Sequence, residues 1–266
     1  MNDTPNVLTI TSQQINALLA EYFLPFVRVG AFLMVAPLYG AVFVPVRIRL
    51  VLALAVTVLV APMLPPMAQL QLLSLETIVI VIQQLLIGAA CGFAMQLVFD
   101  AVGLGGQLLA NTMGLSFAFN VDPQRGSATP ALGRFYMVIA TLTFLVLNGH
   151  VRLFELLIDT FHGVPVSAAG IGTAGIWKLL TLSSLLFSGA LGVALPGIAA
   201  LLVVNIAFGV MSRAAPALNL FGVGFPIILL LGLVILLIGL PTIQSSTTTL
   251  MDSTFGALAD QFGGVR

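Results

Sequence analysis

Charge is what this chain has least of. Of 266 residues only 7% are Asp, Glu, Lys or Arg, against a hydrophobic share of 59% and a mean hydropathy of +1.15. A soluble domain keeps about a quarter of its residues charged, because its surface must meet water. A chain this poor in charge cannot clothe a water-facing shell, so lipid is the solvent for most of it. The nine basic and nine acidic residues cancel, which removes the basic footprint that nucleic-acid binding needs. Cysteine is nearly absent too. Cys91 alone excludes an internal disulfide, has no partners at metal-ligand spacing, and reads as a small packing residue in "LLIGAACGFAMQL". No cofactor or metal is expected. No Lys or Arg precedes Arg28, so the N-terminus lacks the positive start of a secretory signal and is expected to be retained. There is no G-x-x-x-x-G-K loop, so energy for any transport must come from elsewhere. Internal repeats and charged or proline-rich linkers are missing as well, which leaves one membrane domain over residues 1–266.

What is present is apolar length. A helix needs about 20 mainly apolar residues to cross the hydrocarbon core. Six stretches qualify or nearly do: Gln14–Val44, Ile48–Pro65, Thr77–Ala101, Phe135–Ile158, Leu182–Met211 and Phe225–Leu240. The runs are continuous and do not alternate as a membrane barrel requires, so the expected class is all-α. Several of these helices should be broken. Pro25, Pro37 and Pro196 interrupt two of them, and the fourth contains Asn148, His150, Arg152 and Glu155. A charge at the bilayer centre costs about 2.5–3.5 kcal/mol on insertion scales, so such residues face protein, water or the interface. Glu21 and Arg28 share a helix face two turns apart, too far for direct contact, so each looks to another helix or subunit. Arg152 and Glu155, at i and i+3, have the spacing of a local pair, and snorkelling to the interface explains Arg152 better than a transport role does. Under six-span alternation Arg47, Arg49, Arg125, Arg134 and Arg213 fall on one side, and Arg152, Lys178 and Arg266 on the other. The excess places the first group inside.

Two stretches stay outside this pattern, around residues 102–134 and 161–176. The first contains "GQLLANTMGLSFAFNVDP", uncharged until Asp122 and broken by glycine. On a helical wheel Gly103, Gln107, Asn111 and Gly114 form one stripe, and Leu109, Met113 and Phe117 a second. Asp122-Pro123 is expected to end the segment, since the residue before proline leaves helical angles. Amides on one side and flexible Met and Phe on the other suit a pore wall or constriction, where apolar rings gate by excluding water. An ordinary re-entrant packing loop would carry the same pattern. In the second informative stretch, "NIAFGVMSRAAPALNLFGVGFPI", Asn205, Gly209 and Arg213 recur every four residues on one face. Pro216 ends that helix and Phe225-Pro226 opens the next, giving a helical hairpin with a basic tip.

Together these two stretches resemble the FliR family of flagellar type III export proteins. The resemblance extends to "NGH" at Asn148–His150, to "VPVRIRL", and to "ALPGIAALLVVN", in order along nearly the whole chain. It is shared with the SctT group of virulence secretion, although the "GVGFPI" wording is closer to the flagellar branch. The resemblance implies an export-gate subunit of the bacterial inner membrane at the flagellar basal body. It would assemble with FliP and FliQ beside FlhB and FlhA, and would pass unfolded flagellar proteins. It also implies FliP-like helices over 1–160 with a loop at 103–134, and a FliQ-like hairpin over 178–245. Carried over by position, the luminal plug would comprise Gly106, Gln107, Met113, Gly114, Phe117 and Phe119, with the two glycines as flex points. Asn205, Gly209, Arg213 and Pro216 would form the hairpin and its subunit contact.

Two other classes fit the residues less well. An intramembrane protease needs a Ser in a GxSG-like turn, and "GLSF" and "LFSG" each miss one glycine, with no argument pairing His150 or His162 to either. A small-solute carrier needs inverted repeats around a midplane site, for which Glu21, Arg28 and Asp100 would be the contacts, and the halves do not match.

Overall fold

A computed structural model of the chain describes residues 12–64, 74–115, 131–167, 170–214 and 224–262. Among these residues the architecture is helical with no strand: α1 (Ser12–Val35), α2 (Val46–Val60, continued by a short 3-10 turn Ala61–Met63), α3 (Leu75–Thr112), α4 (Ala131–Val146), α5 (Gly149–Gly163), α6 (Gly172–Leu182), α7 (Ser184–Ala214) and α8 (Phe225–Phe262). The physical reason is the solvent. In lipid every backbone N–H and C=O must be satisfied within its own segment, which a helix does and a single strand does not. The same constraint lets Pro25, Pro196 and Pro241 lie inside α1, α7 and α8 without ending them.

Four of the described helical stretches are long and apolar enough to cross a membrane, or five when the bent α4–α5 pair counts as one. That fits the all-α membrane class, with somewhat fewer spans than the six expected. The third expected span closes at Thr112 instead of Ala101, and the sixth runs past Leu240 to Phe262. The fourth breaks where "NGH" stands, and its halves meet at 68°. Asn148 takes a left-handed φ of 54°, which Asn tolerates better than other side chains do. A Cβ on Gly149 would lie 2.3 Å from the Phe144 ring, so only glycine lets the chain turn there.

α8 changes character along its length. Its large exposed apolar side chains, among them Leu230, Leu237 and Ile238, all precede Pro241. Beyond it the buried positions are Ile243, Thr247, Met251, Thr254, Phe255, Leu258 and Phe262, a 3.6-residue stripe. The hydroxyls of Ser245, Thr248, Thr249 and Ser253 lie on its exposed side and donate to carbonyls one turn back in the same helix.

The chain divides into two compact units, residues 1–93 with 153–177 and 258–266, and residues 94–152 with 178–257. In the first, α1 ends in the tight turn "APLYG", where Tyr39 N–H donates to Pro37 O at 2.9 Å across Leu38, held at φ 68°. The rings of Phe32 and Tyr39 both meet Phe154 of α5 edge-on, at 5.8 and 5.4 Å. In the second, the far half of α3 packs among α4, α7 and α8, with Phe99 edge-on to Phe144 at 5.4 Å.

Candidate functional site

In the second unit, Gly106 sits on the α3 face that meets α4. A Cβ there would lie 2.7 Å from the Tyr136 ring and 2.9 Å from Leu132 O, so the glycine is what lets the two backbones approach. Gln107 beside it is half-buried, and Asn111 one turn later is exposed. Met113 is buried, and its thioether rests over Gly232 of α8, where a Cβ would meet Met113 Cε at 2.5 Å. Gly114 follows with φ 79° and donates its N–H to Asn111 O at 3.0 Å. It is the left-handed glycine that closes α3. The helix therefore stops at Thr112–Gly114, ahead of the Asp122-Pro123 stop expected from the sequence. Phe117 and Phe119 lie outside the described residues. What the structure brings together is a root: a seated methionine followed by a glycine in the left-handed conformation.

Below that root a cavity of about 300 Å³ opens among α3, α4, α7 and α8, lined by Leu109, Tyr136, Pro196, Gly197, Gly239 and Thr242 among others. On α7, Asn205 is half-buried while Gly209 and Arg213 are exposed, so the polar stripe points away from the core of its unit. Ser212 on the same stretch donates its hydroxyl to Gly209 O at 2.9 Å. Pro216 lies outside the described residues.

The first unit contains a polar site of a different kind. Arg28 is fully buried on α1. Its Nε donates to Gln84 Oε1 of α3 at 2.8 Å, its Nη1 to the carbonyl and hydroxyl of Thr160 at 2.9 and 3.1 Å, and its Nη2 to Val164 O at 3.0 Å. The guanidinium also lies 4.1 Å from the centre of the Phe161 ring. Thr160 and Val164 lie at the end of α5, where the helix dipole is negative, and the Thr160 carbonyl accepts the Val164 N–H at 2.9 Å as well as the guanidinium. A cation there caps the helix and gains up to about 2 kcal/mol in a partly buried setting. Arg28 thus finds the second helix expected for it, and its counter-charge comes from backbone. Glu21 is exposed.

Arg152 behaves otherwise. It pairs with Asp252 of α8 at 2.8 Å, both side chains about half exposed, and lies 4.3 Å from the Phe255 ring. The local Arg152–Glu155 spacing pointed along the wrong direction, since the partner comes from a stretch, "MDSTFGALADQF", whose stripe of Met251, Phe255 and Leu258 is a readable helical signal. Gln84 was also missed. The signal for it was a Gln-Gln pair inside "IVIVIQQLLIG", amides that an apolar helix keeps only for a partner.

The fold and these sites define an all-helical, multi-pass membrane protein. Residues 19–254 match the family described as bacterial export proteins, family 1. The chain is 40% identical over 227 residues to the flagellar biosynthetic protein FliR of Escherichia coli (strain K12), covering 85% of this chain and 87% of that one. It is 37% identical over 228 residues to its counterpart in Pectobacterium carotovorum, covering 86% and 87%, and 29% identical over 215 residues to that of Bacillus subtilis (strain 168), covering 79% and 82%. The chain belongs to the FliR family of flagellar export proteins. It is a membrane component of the flagellar export apparatus, and its work is protein transport in flagellum biogenesis.

Proposed function

We propose that this chain is one subunit of the flagellar export gate in the bacterial inner membrane, joining FliP and FliQ in the channel through which unfolded flagellar proteins pass. FlhB and FlhA would work beside it. The observation that carries this reading is the family match across residues 19–254, which takes in both informative stretches. The names of its relatives support a structural transport role in place of catalysis.

Within the gate, the segment Gly106–Phe119 would supply a luminal plug. Gly106 and Met113 fix its root against α4 and α8, Gly114 sets the direction of departure, Gln107 sits at the half-open flank, and Phe117 and Phe119 would close the passage. Apolar rings serve this purpose because they exclude water, and so ions, without binding what passes. On α7, Asn205, Gly209 and Arg213 lead to Pro216 and the hairpin tip, and would meet a neighbouring subunit. A half-buried amide and an exposed guanidinium on an apolar helix favour this, since in lipid each would need a hydrogen-bond partner.

Purification in mild detergent from cells producing the whole set of export proteins tests the proposal. The expected result is a stable complex containing FliP and FliQ. Recovery of this chain alone, as monomer or homodimer with transport activity for small solutes, would overturn it in favour of a carrier.

A further inference from the structure

The start of α2 concentrates positive charge that forms no ion pair among the described residues. Arg47 and Arg49 stand in the first turn, where the helix dipole is already positive and cations are unfavourable. Pro45 at the N-cap offers no side-chain hydrogen bond, and only the Ile48 and Arg49 N–H groups reach back to its carbonyl. From Arg28 to Glu76 the sequence has no acidic residue. Arg49 Nη2 donates to Ala41 O, while its buried Nε has no partner among the described residues. Arg47 is exposed.

Beside these cations the turn presents bare apolar side chains. Val42 is fully exposed and Phe43 is 79% exposed. The apolar surface continues without interruption along α2 through Ile48, Val51, Leu54 and Val58, in a span of which only 22% is buried. The apolar turn thus runs directly into the exposed face of a helix long and apolar enough to cross a membrane. Aromatic and cationic residues at the end of an apolar span are what the membrane–water interface selects. The charge that such an interface offers an arginine is the phosphate of an anionic lipid.

We infer that the corner Ala41–Arg49 is a binding site for anionic phospholipid headgroups. Val42 and Phe43 enter the acyl boundary, and Arg47 and Arg49 hold phosphate against the first turn of α2. This lies outside the export reading, and assigns the corner to lipid whatever the gate's composition.

The test uses the full chain with the proteins that accompany it, reconstituted in phosphatidylcholine vesicles or in an equimolar mixture with phosphatidylglycerol. After re-extraction in mild detergent, the lipid retained is counted by mass spectrometry. Phosphatidylglycerol should be enriched over phosphatidylcholine, and Arg47→Gln with Arg49→Gln should reduce that enrichment by about fivefold per arginine removed. Arg47→Lys with Arg49→Lys should keep most of it, and Lys178→Gln, an exposed cation elsewhere, should leave it unchanged. An environment-sensitive label on Phe43→Cys, with the native arginines in place, gives a second measurement. Cys91 is fully buried and does not compete for the label. Quenching of that label by lipid-borne quenchers is expected. Equal retention by the Gln pair and the native chain, or a label shielded from lipid by a protein surface, would overturn the assignment.

Discussion

Arg28 and Arg213 are both arginines on long apolar helices, and the chain treats them in opposite ways. Arg28 is buried, with four hydrogen bonds to α3 and α5 and an aromatic face beneath it. Arg213 is exposed at the last turn of α7, below Gly209 and Asn205 on the same face. A polar group in lipid must find a partner somewhere. One that is satisfied within its own chain holds the fold. One that is left open is available to another molecule. The difference separates the structural polar groups of this protein from the candidates for assembly.

Substitutions can break that distinction or sharpen it. The largest effect is expected at Arg28. Replacement by alanine leaves a cavity and uncaps α5, and should cost about 3 kcal/mol or more, read as a lower melting temperature and yield in detergent. Gly149→Val comes next, since its side chain must push into the Phe144 ring, and overpacking of that kind costs about 1–3 kcal/mol. Asp252→Asn should cost less, about 0.2–1 kcal/mol, because the Arg152–Asp252 pair is half exposed. A double-mutant cycle with Arg152→Gln isolates that value. Arg213→Glu should change the stability of the isolated chain by less than about 0.5 kcal/mol, while lowering the yield of complex with its neighbours. Loss of stability with unchanged complex yield would reverse the roles assigned to the two arginines.

Much of this was legible in apolar length alone. The long runs are helices because the solvent allows little else, and α8 opens at Phe225-Pro226 as expected, while Pro216 lies outside the described residues. Two helices run further than the expected spans. The third expected span stops at Ala101, but Gly106 beyond it packs closely on Tyr136, and α3 continues to Thr112. The sixth expected span stops at Leu240, whereas α8 runs through Pro241 to Phe262. Conversely the break at Asn148-Gly149 contains no proline and depends on a left-handed Asn and on the Phe144 ring, a contact that sequence spacing does not announce. For the sites, composition revealed which residues were out of place in lipid. Their partners, Gln84 and Asp252, came from 56 and 100 positions away and required the fold.

The most direct test of the gate reading is the ion conductance of the assembled complex in planar bilayers when residues 116–119 are deleted, leaving the Met113–Gly114 root in place. The expected result is a complex of unchanged composition that conducts ions where the native complex is closed. A deletion variant that assembles normally and remains as tight as the native complex would contradict it.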